Sequence, residues 1–262
     1  MTAPTAPKTN LTPDSNDDYF EATYAIPMHC ENCSNDIKKC LIEHIPQSEK
    51  VKDIKFNLEE QIMALNSAIA PSVVIKTLRS CGYDAIVRGA GNKPNMAAVS
   101  IMEIFKKYKD DTLLKSPVRG LVRIVQVSDN KTLFDFNVNG VPRPGKYFAT
   151  LRECGDLSNG VESTGKVMKK FEEPIECKEQ SDLDPKLFSG QLFLSSPIQV
   201  WELIGRSIVI SKEKENEMEE PYEMCGIVAR SAGIWENNKK VCACSGKTIW
   251  EERKDALANN IR

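Results

Sequence analysis

The sequence predicts a chain of more than one domain: an α+β domain of βαββαβ order, then an all-β sandwich or barrel, then a short C-terminal tail. Three observations predict it. At 262 residues the chain exceeds the usual size of one compact core. Across residues 19–88 the apolar pattern switches repeatedly between a period of two and helical spacing. Beyond a loop-forming run at 89–95 it becomes a series of short strands separated by Gly and Pro.

Residues 1–18 are rich in Thr, Pro, Asn and Asp and contain one Leu, which reads as a flexible tail. They have neither the basic start and apolar middle of a secretory signal nor the acid-poor character of a transit peptide. A first strand follows at 20–28, with Ala22, Tyr24 and Ile26 at period two. Asn32 or Cys33 opens a helix that carries Ile37, Cys40 and Leu41 at helical spacing, and Pro46 ends it. The run 51–57 alternates Val51, Asp53 and Lys55 against Lys52, Ile54 and Phe56, and 61–66 reads as its hairpin partner. Pro71 suits a first helical turn, Val74, Ile75 and Leu78 supply the stripe, and Gly82 closes that helix. A last strand at 84–88 completes a ferredoxin-like domain, 19–88.

Gly89-Ala90-Gly91-Asn92-Lys93-Pro94-Asn95 has no apolar anchor and reads as a linker. In the domain 96–233, strands are expected at 118–127, 133–138, 146–152, 207–211 and 226–229. In the second of these, Phe134, Phe136 and Val138 alternate with Asp135, Asn137 and Asn139. The acidic run 212–220 reads as a solvated loop. Residues 234–262 are too few for a core of their own; they carry Cys242-Ala243-Cys244 and a helix over about 250–259. Such a tail packs on something or orders when it meets a partner.

The net charge of −2 gives no pull toward nucleic acid or membrane, and no run of about 20 apolar residues exists to span a bilayer. A soluble intracellular protein is expected. The cytoplasm is the expected compartment, and the mitochondrial intermembrane space is not forbidden by the lack of a presequence. The nine cysteines are an odd number in a chain long enough to build cores, which argues against a disulfide-stapled secreted scaffold. There are only two histidines, His29 and His44.

Met28-His29-Cys30-Glu31-Asn32-Cys33 joins the first strand to the first helix. Copper(I) is soft and takes thiolates in low coordination. A Cys-x-x-Cys that begins in a loop and ends in a first helical turn lets both sulfurs converge, and the helix N-terminus favours the thiolate. Three other readings compete. Both cysteines as buried hydrophobes sits poorly with Glu31 and Asn32 between them. A thioredoxin-type redox pair expects a parallel βαβ context. A zinc site shared with Cys242 and Cys244 requires two pairs from opposite ends of the chain to meet rigidly, which disfavours zinc. Cys242 and Cys244, at i and i+2, project to one face of an extended backbone and could share an ion. Cys40 and Cys81 read as buried core thiols, with a disulfide between them as the alternative. His44 reads as a surface residue, Met28 as a core-facing anchor, and Cys154, Cys177 and Cys225 have no motif partner.

The first domain resembles the heavy-metal-associated domains, in which a Met-x-Cys-x-x-Cys loop binds copper(I); Pro27 stands where many of them have Gly. The middle of the chain resembles copper/zinc superoxide dismutase, a Greek-key sandwich. The likeness is carried by Leu203-Ile204-Gly205-Arg206-Ser207-Ile208-Val209-Ile210, Glu153-Cys154-Gly155-Asp156 and Cys225-Gly226-Ile227-Val228-Ala229. The order of these parts, with Arg230-Ser231-Ala232-Gly233 and Cys242-Ala243-Cys244 following, resembles the copper chaperones of superoxide dismutase, the fungal type in particular.

The resemblance implies a metallochaperone rather than an enzyme. Cys30 and Cys33 collect copper(I), and Cys242 and Cys244 take part in transferring it and in promoting the target's disulfide. The partner is copper/zinc superoxide dismutase, docked as one subunit of that enzyme pairs with another. Gly226, Ile227, Val228 and Ala229 lie on the docking face. The same pairing admits a homodimer of this chain. A thiol–disulfide oxidoreductase with incidental metal binding is the rival function. Dismutase activity is excluded, because that enzyme's sites are rich in histidine and this chain has none after His44. Thr150 and Arg152 stand at two copper-ligand positions, residues 166–189 of the zinc loop hold no histidine, and Val161 replaces one cysteine of the enzyme's internal disulfide, Cys225 matching the other.

Overall fold

The computed structural model describes residues 19–91, 95–106, 114–213, 221–233, 236–237, 239–241, 245–259 and 261. The tail predicted at 1–18, most of the acidic run 212–220, and Cys242 and Cys244 lie outside the described residues.

The first domain has the predicted element order: β1 (Phe20–Ala25), α1 (Glu31–His44), β2 (Val51–Asn57), β3 (Ile62–Ser67), α2 (Pro71–Ser80) and β4 (Ile86–Ala90). Its antiparallel sheet runs β2-β3-β1-β4. The helix α1 buries Ile37, Cys40 and Leu41, one face at i, i+3 and i+4 spacing. It stops at His44 because Ile45 turns extended ahead of Pro46. In α2, Pro71 occupies the first turn. Gly82 closes that helix with φ +86°, and the Tyr83 N–H donates back to the Leu78 carbonyl at 2.9 Å.

Two expectations change here. Cys40 and Cys81 are not separate core thiols: they form a disulfide, Cα–Cα 6.3 Å, that ties α1 to the end of α2. The last strand continues through Gly89 and Ala90, which pair with Thr23 and Ala22 and so are sheet rather than linker residues.

The second domain contains β5 (Ala97–Glu103), β6 (Val118–Ser128), β7 (Lys131–Val141), β8 (Gly145–Arg152), β9 (Val167–Lys170), β10 (Ile175–Cys177), β11 (Glu179–Gln180), β12 (Phe188–Ser196), the single turn α3 (Val200–Leu203), β13 (Ser207–Lys212), β14 (Glu223–Ile227) and β15 (Ala229–Arg230). The sheet order β10-β8-β13-β14-β5-β6-β7-β12-β11 includes non-sequential neighbours, as a Greek-key layout requires. The two ends meet at a seam where Gly190 of β12 lies so close to β10 that a Cβ there would stand 2.5 Å from the Glu176 carbonyl oxygen. Phe134, Phe136 and Phe171 stack inside, ring centroids 5.1 to 5.9 Å apart. The strand expected at 226–229 is divided, Val228 breaking the pairing between β14 and β15.

The outer face of β6, β7 and β12 is not solvated. Val125, Leu133 and Phe193 share a core with the first domain. Asp135 accepts from the Ser72 backbone N–H at 2.9 Å and the Ser72 hydroxyl at 2.5 Å, so a side chain of the second domain serves the N-terminus of α2. Arg123 lies 3.8 Å from the same carboxylate.

The described parts of the tail pack on both domains. Arg88 donates to the carbonyl oxygens of Asn237, at 2.6 Å, and Lys239. The helix α4 (Ile249–Ala258) starts at a Thr248/Glu251 capping box. Arg253 of α4 reaches Asp84 at 3.3 Å, and Ser116 donates to the Asn259 carbonyl at 2.9 Å. Among the described residues no helix is long and apolar enough to cross a membrane.

Candidate metal centre

The loop between β1 and α1 brings Cys30 and Cys33 together. Cys30 is the extended residue immediately before α1, and Cys33 lies in its first turn. Their sulfurs approach to 3.6 Å, Cys30 exposed and Cys33 half-buried. Met28 is wholly buried in the first domain's core and anchors the loop from beneath, as its sequence context predicts. On the other side, Gln61 hydrogen-bonds His29 at 3.1 Å, and its own carbonyl accepts from Ile26 at 3.0 Å. The loop is thus pinned to the β2–β3 turn.

The loop's electrostatics favour a thiolate. The His29 backbone N–H, then the Cys30 thiol and backbone N–H, hold the Cys33 thiol below the usual range. Tyr83, in the loop after α2, stands close enough to feel both sulfurs. Burial, then the charges of Asp36, Cys33 and Cys30, raise its hydroxyl above the usual tyrosine range. Sequence reasoning misses Tyr83, since only the return of the chain beside the first loop makes it a neighbour. Two exposed sulfurs, one biased toward thiolate, can bind a soft ion in low coordination or exchange with a disulfide.

The other candidates are scattered. The pair Cys242 and Cys244 lies outside the described residues; before it Val241 forms an antiparallel bridge with Thr248. Cys154 is exposed, whereas Cys177 and Cys225 are buried, and burial pushes the Cys225 thiol up to about 12. In the run 226–229, alternation turns Gly226 and Val228 inward and Ile227, 42% exposed, and Ala229 outward. Ile101 of the adjoining strand and Trp201 of α3 are also exposed. Of the four residues expected on a docking face, Ile227 and Ala229 are the two exposed ones. At the positions matching copper ligands, the Arg152 side chain donates to the Thr150 hydroxyl at 3.1 Å.

Fold and site together define a heavy-metal-associated domain with an exposed dithiol, joined to a dismutase-like barrel. Residues 23–84 match the model of the heavy-metal-associated domain. The chain is 60% identical to the superoxide dismutase 1 copper chaperone of Saccharomyces cerevisiae, over 94% of this chain and 98% of that one. It is 57% identical to the protein of that name in Candida glabrata, over 95% and 99%. It is 26% identical to the human copper chaperone for superoxide dismutase, over 91% of each. The chain belongs to the family of copper chaperones for superoxide dismutase.

Proposed function

We propose that the protein carries copper(I) as cargo on Cys30 and Cys33 and delivers it to copper/zinc superoxide dismutase. The observation that carries this reading is the 3.6 Å approach of two solvent-facing sulfurs at the start of α1. Soft thiolates select copper(I), and the exposed position lets an acceptor's ligands reach the ion before the donor's release it. The barrel docks on the target as one dismutase subunit docks on another, through the outward Ile227 and Ala229 with Ile101 beside them. Exposed apolar side chains on a sheet suit such a contact.

Cys242 and Cys244 complete the work. In their disulfide form they accept a target thiolate, which displaces one tail sulfur as thiolate and leaves a mixed disulfide. A second target thiolate then displaces the other tail sulfur. The target gains its disulfide, and two electrons pass to the tail, which ends as a dithiol.

The test is activation of apo-dismutase with free copper held very low by a chelator. Replacement of both Cys30 and Cys33 by Ser is expected to abolish activation, and activation persisting unchanged would overturn the delivery role. Replacement of Cys242 and Cys244 is expected to leave docking intact while stopping activation and trapping of the mixed disulfide. If activation survives that change, the tail's role is lost.

A further inference from the structure

The far end of α1 carries a second cluster of metal-ligating side chains. One ligand atom each from Cys40, His44 and Cys81 lies within 4.8 Å of the others. It is the only such group of three among the described residues. The geometry of the histidine favours ligation. His44 Nδ1 lies 3.2 Å from the Cys40 carbonyl oxygen, which can only accept, so the proton is on Nδ1. In the neutral imidazole Nε2 then keeps its lone pair. An imidazole fixed through its other nitrogen by a backbone carbonyl is how a metal-bound histidine is usually held. Cys40 is buried, Cys81 half-buried and His44 exposed, so the cluster opens to solvent on one side.

The two sulfurs are joined as a disulfide here and cannot ligate as thiolates. We infer that reduction of the Cys40–Cys81 bond opens a second metal site, in which Cys40 Sγ, Cys81 Sγ and His44 Nε2 hold one zinc ion with water as fourth ligand. The mixed set of two thiolates and one imidazole suits zinc. The step balances with a thiol of the glutathione class as reductant. Two such thiols give up two electrons and become a disulfide, while Cys40 and Cys81 become thiols. Zinc then displaces their two protons. In either state α1 and α2 stay clamped, by a covalent bond or by an ion. Cys40 follows Cys33 by seven positions along α1, about 10 Å of helix, and His44 lies a further turn on, too far for one ion to serve both sites.

The test uses the full chain with Ser at positions 30, 33, 154, 242 and 244, and cobalt(II) as a spectroscopic probe for zinc. After reduction by a phosphine, one equivalent of cobalt is expected to give a thiolate-to-cobalt charge-transfer band that zinc abolishes. The disulfide form is expected to give none. His44→Ala in the same background is expected to weaken zinc at least about tenfold. Absence of the band after reduction, or an affinity unchanged by His44→Ala, overturns the site. Should reduction loosen the first domain, zinc is expected to raise the thermal midpoint of the reduced protein and not that of the oxidised one. No rise in the reduced form overturns it equally.

Discussion

Cys33 differs from an ordinary cysteine through what surrounds its sulfur: the His29 amide first, then the Cys30 thiol and amide. Each donates to the sulfur, and each favours the anion. The sign follows directly. An acid whose charged form is stabilised loses its proton at lower pH, so Cys33 is expected to react with iodoacetamide at a pH midpoint below the usual thiol value of about 8.5. Mass spectrometry of the Cys33 peptide across a pH series measures that midpoint. Cys30→Ala removes the thiol donor and is expected to move the midpoint up, though not fully, because the His29 amide remains. An undepressed midpoint in the parent protein, or one indifferent to Cys30→Ala, would show that the loop does not activate Cys33. The same residues show how far the sequence could be read. The spacing of Cys30 and Cys33 announced a dithiol, but not the amides aimed at it or the Tyr83 ring beside it. Those depend on the turn between two strands and on a loop some fifty residues away.

At the scale of elements, α2 is held from outside its own domain. Asp135 accepts two hydrogen bonds from Ser72 and faces Arg123, with Ser72 and Asp135 buried and Arg123 half-buried. Burial raises the Asp135 carboxyl and lowers the Arg123 guanidinium, while each charge favours the other. Asp135→Ala takes a buried acceptor away from a helix start and a charge away from Arg123. It is expected to lower stability on the order of 3 kcal/mol. Ser72→Ala loses one charge-assisted hydrogen bond, about 2 kcal/mol. Urea midpoints of the two single variants and the double variant check this; additive losses would show that the pair is not coupled. This interface is also why the second domain was only half legible. The alternation in β7 separates Asp135 from the apolar side chains but does not show that its face meets the first domain. In β12, Leu192 and Leu194 point into the barrel and Phe193 into the first domain's core. With both faces buried, and Gly190, Ser195 and Ser196 among its residues, β12 carries no clean period of two and goes unpredicted. The first domain was more legible because Pro71, Gly82 and Pro46 punctuate its elements.

For the whole molecule the question is how a tail without a core is kept near two domains. The described contacts give the means: Arg88 grips the backbone at Asn237 and Lys239, Arg253 reaches Asp84, and Ser116 caps the end of α4 at Asn259. Residues before and after the Cys242 and Cys244 pair are thereby fastened to the first domain, and the described residues at 239–241 and 245–248 are exposed. Arg88 has the larger share of this work. Its side chain meets the described part of the tail ahead of the pair, and burial lowers its guanidinium's affinity for a proton without removing its charge. Arg88→Ala is therefore expected to release the tail rather than unfold the protein. Limited proteolysis should cut residues 234–248 several-fold faster in the variant, while copper binding by Cys30 and Cys33 stays at the parent level. Equal cutting rates would show that α4 and Arg253 hold the tail alone. A simultaneous loss of copper binding would show that Arg88 supports the first domain itself.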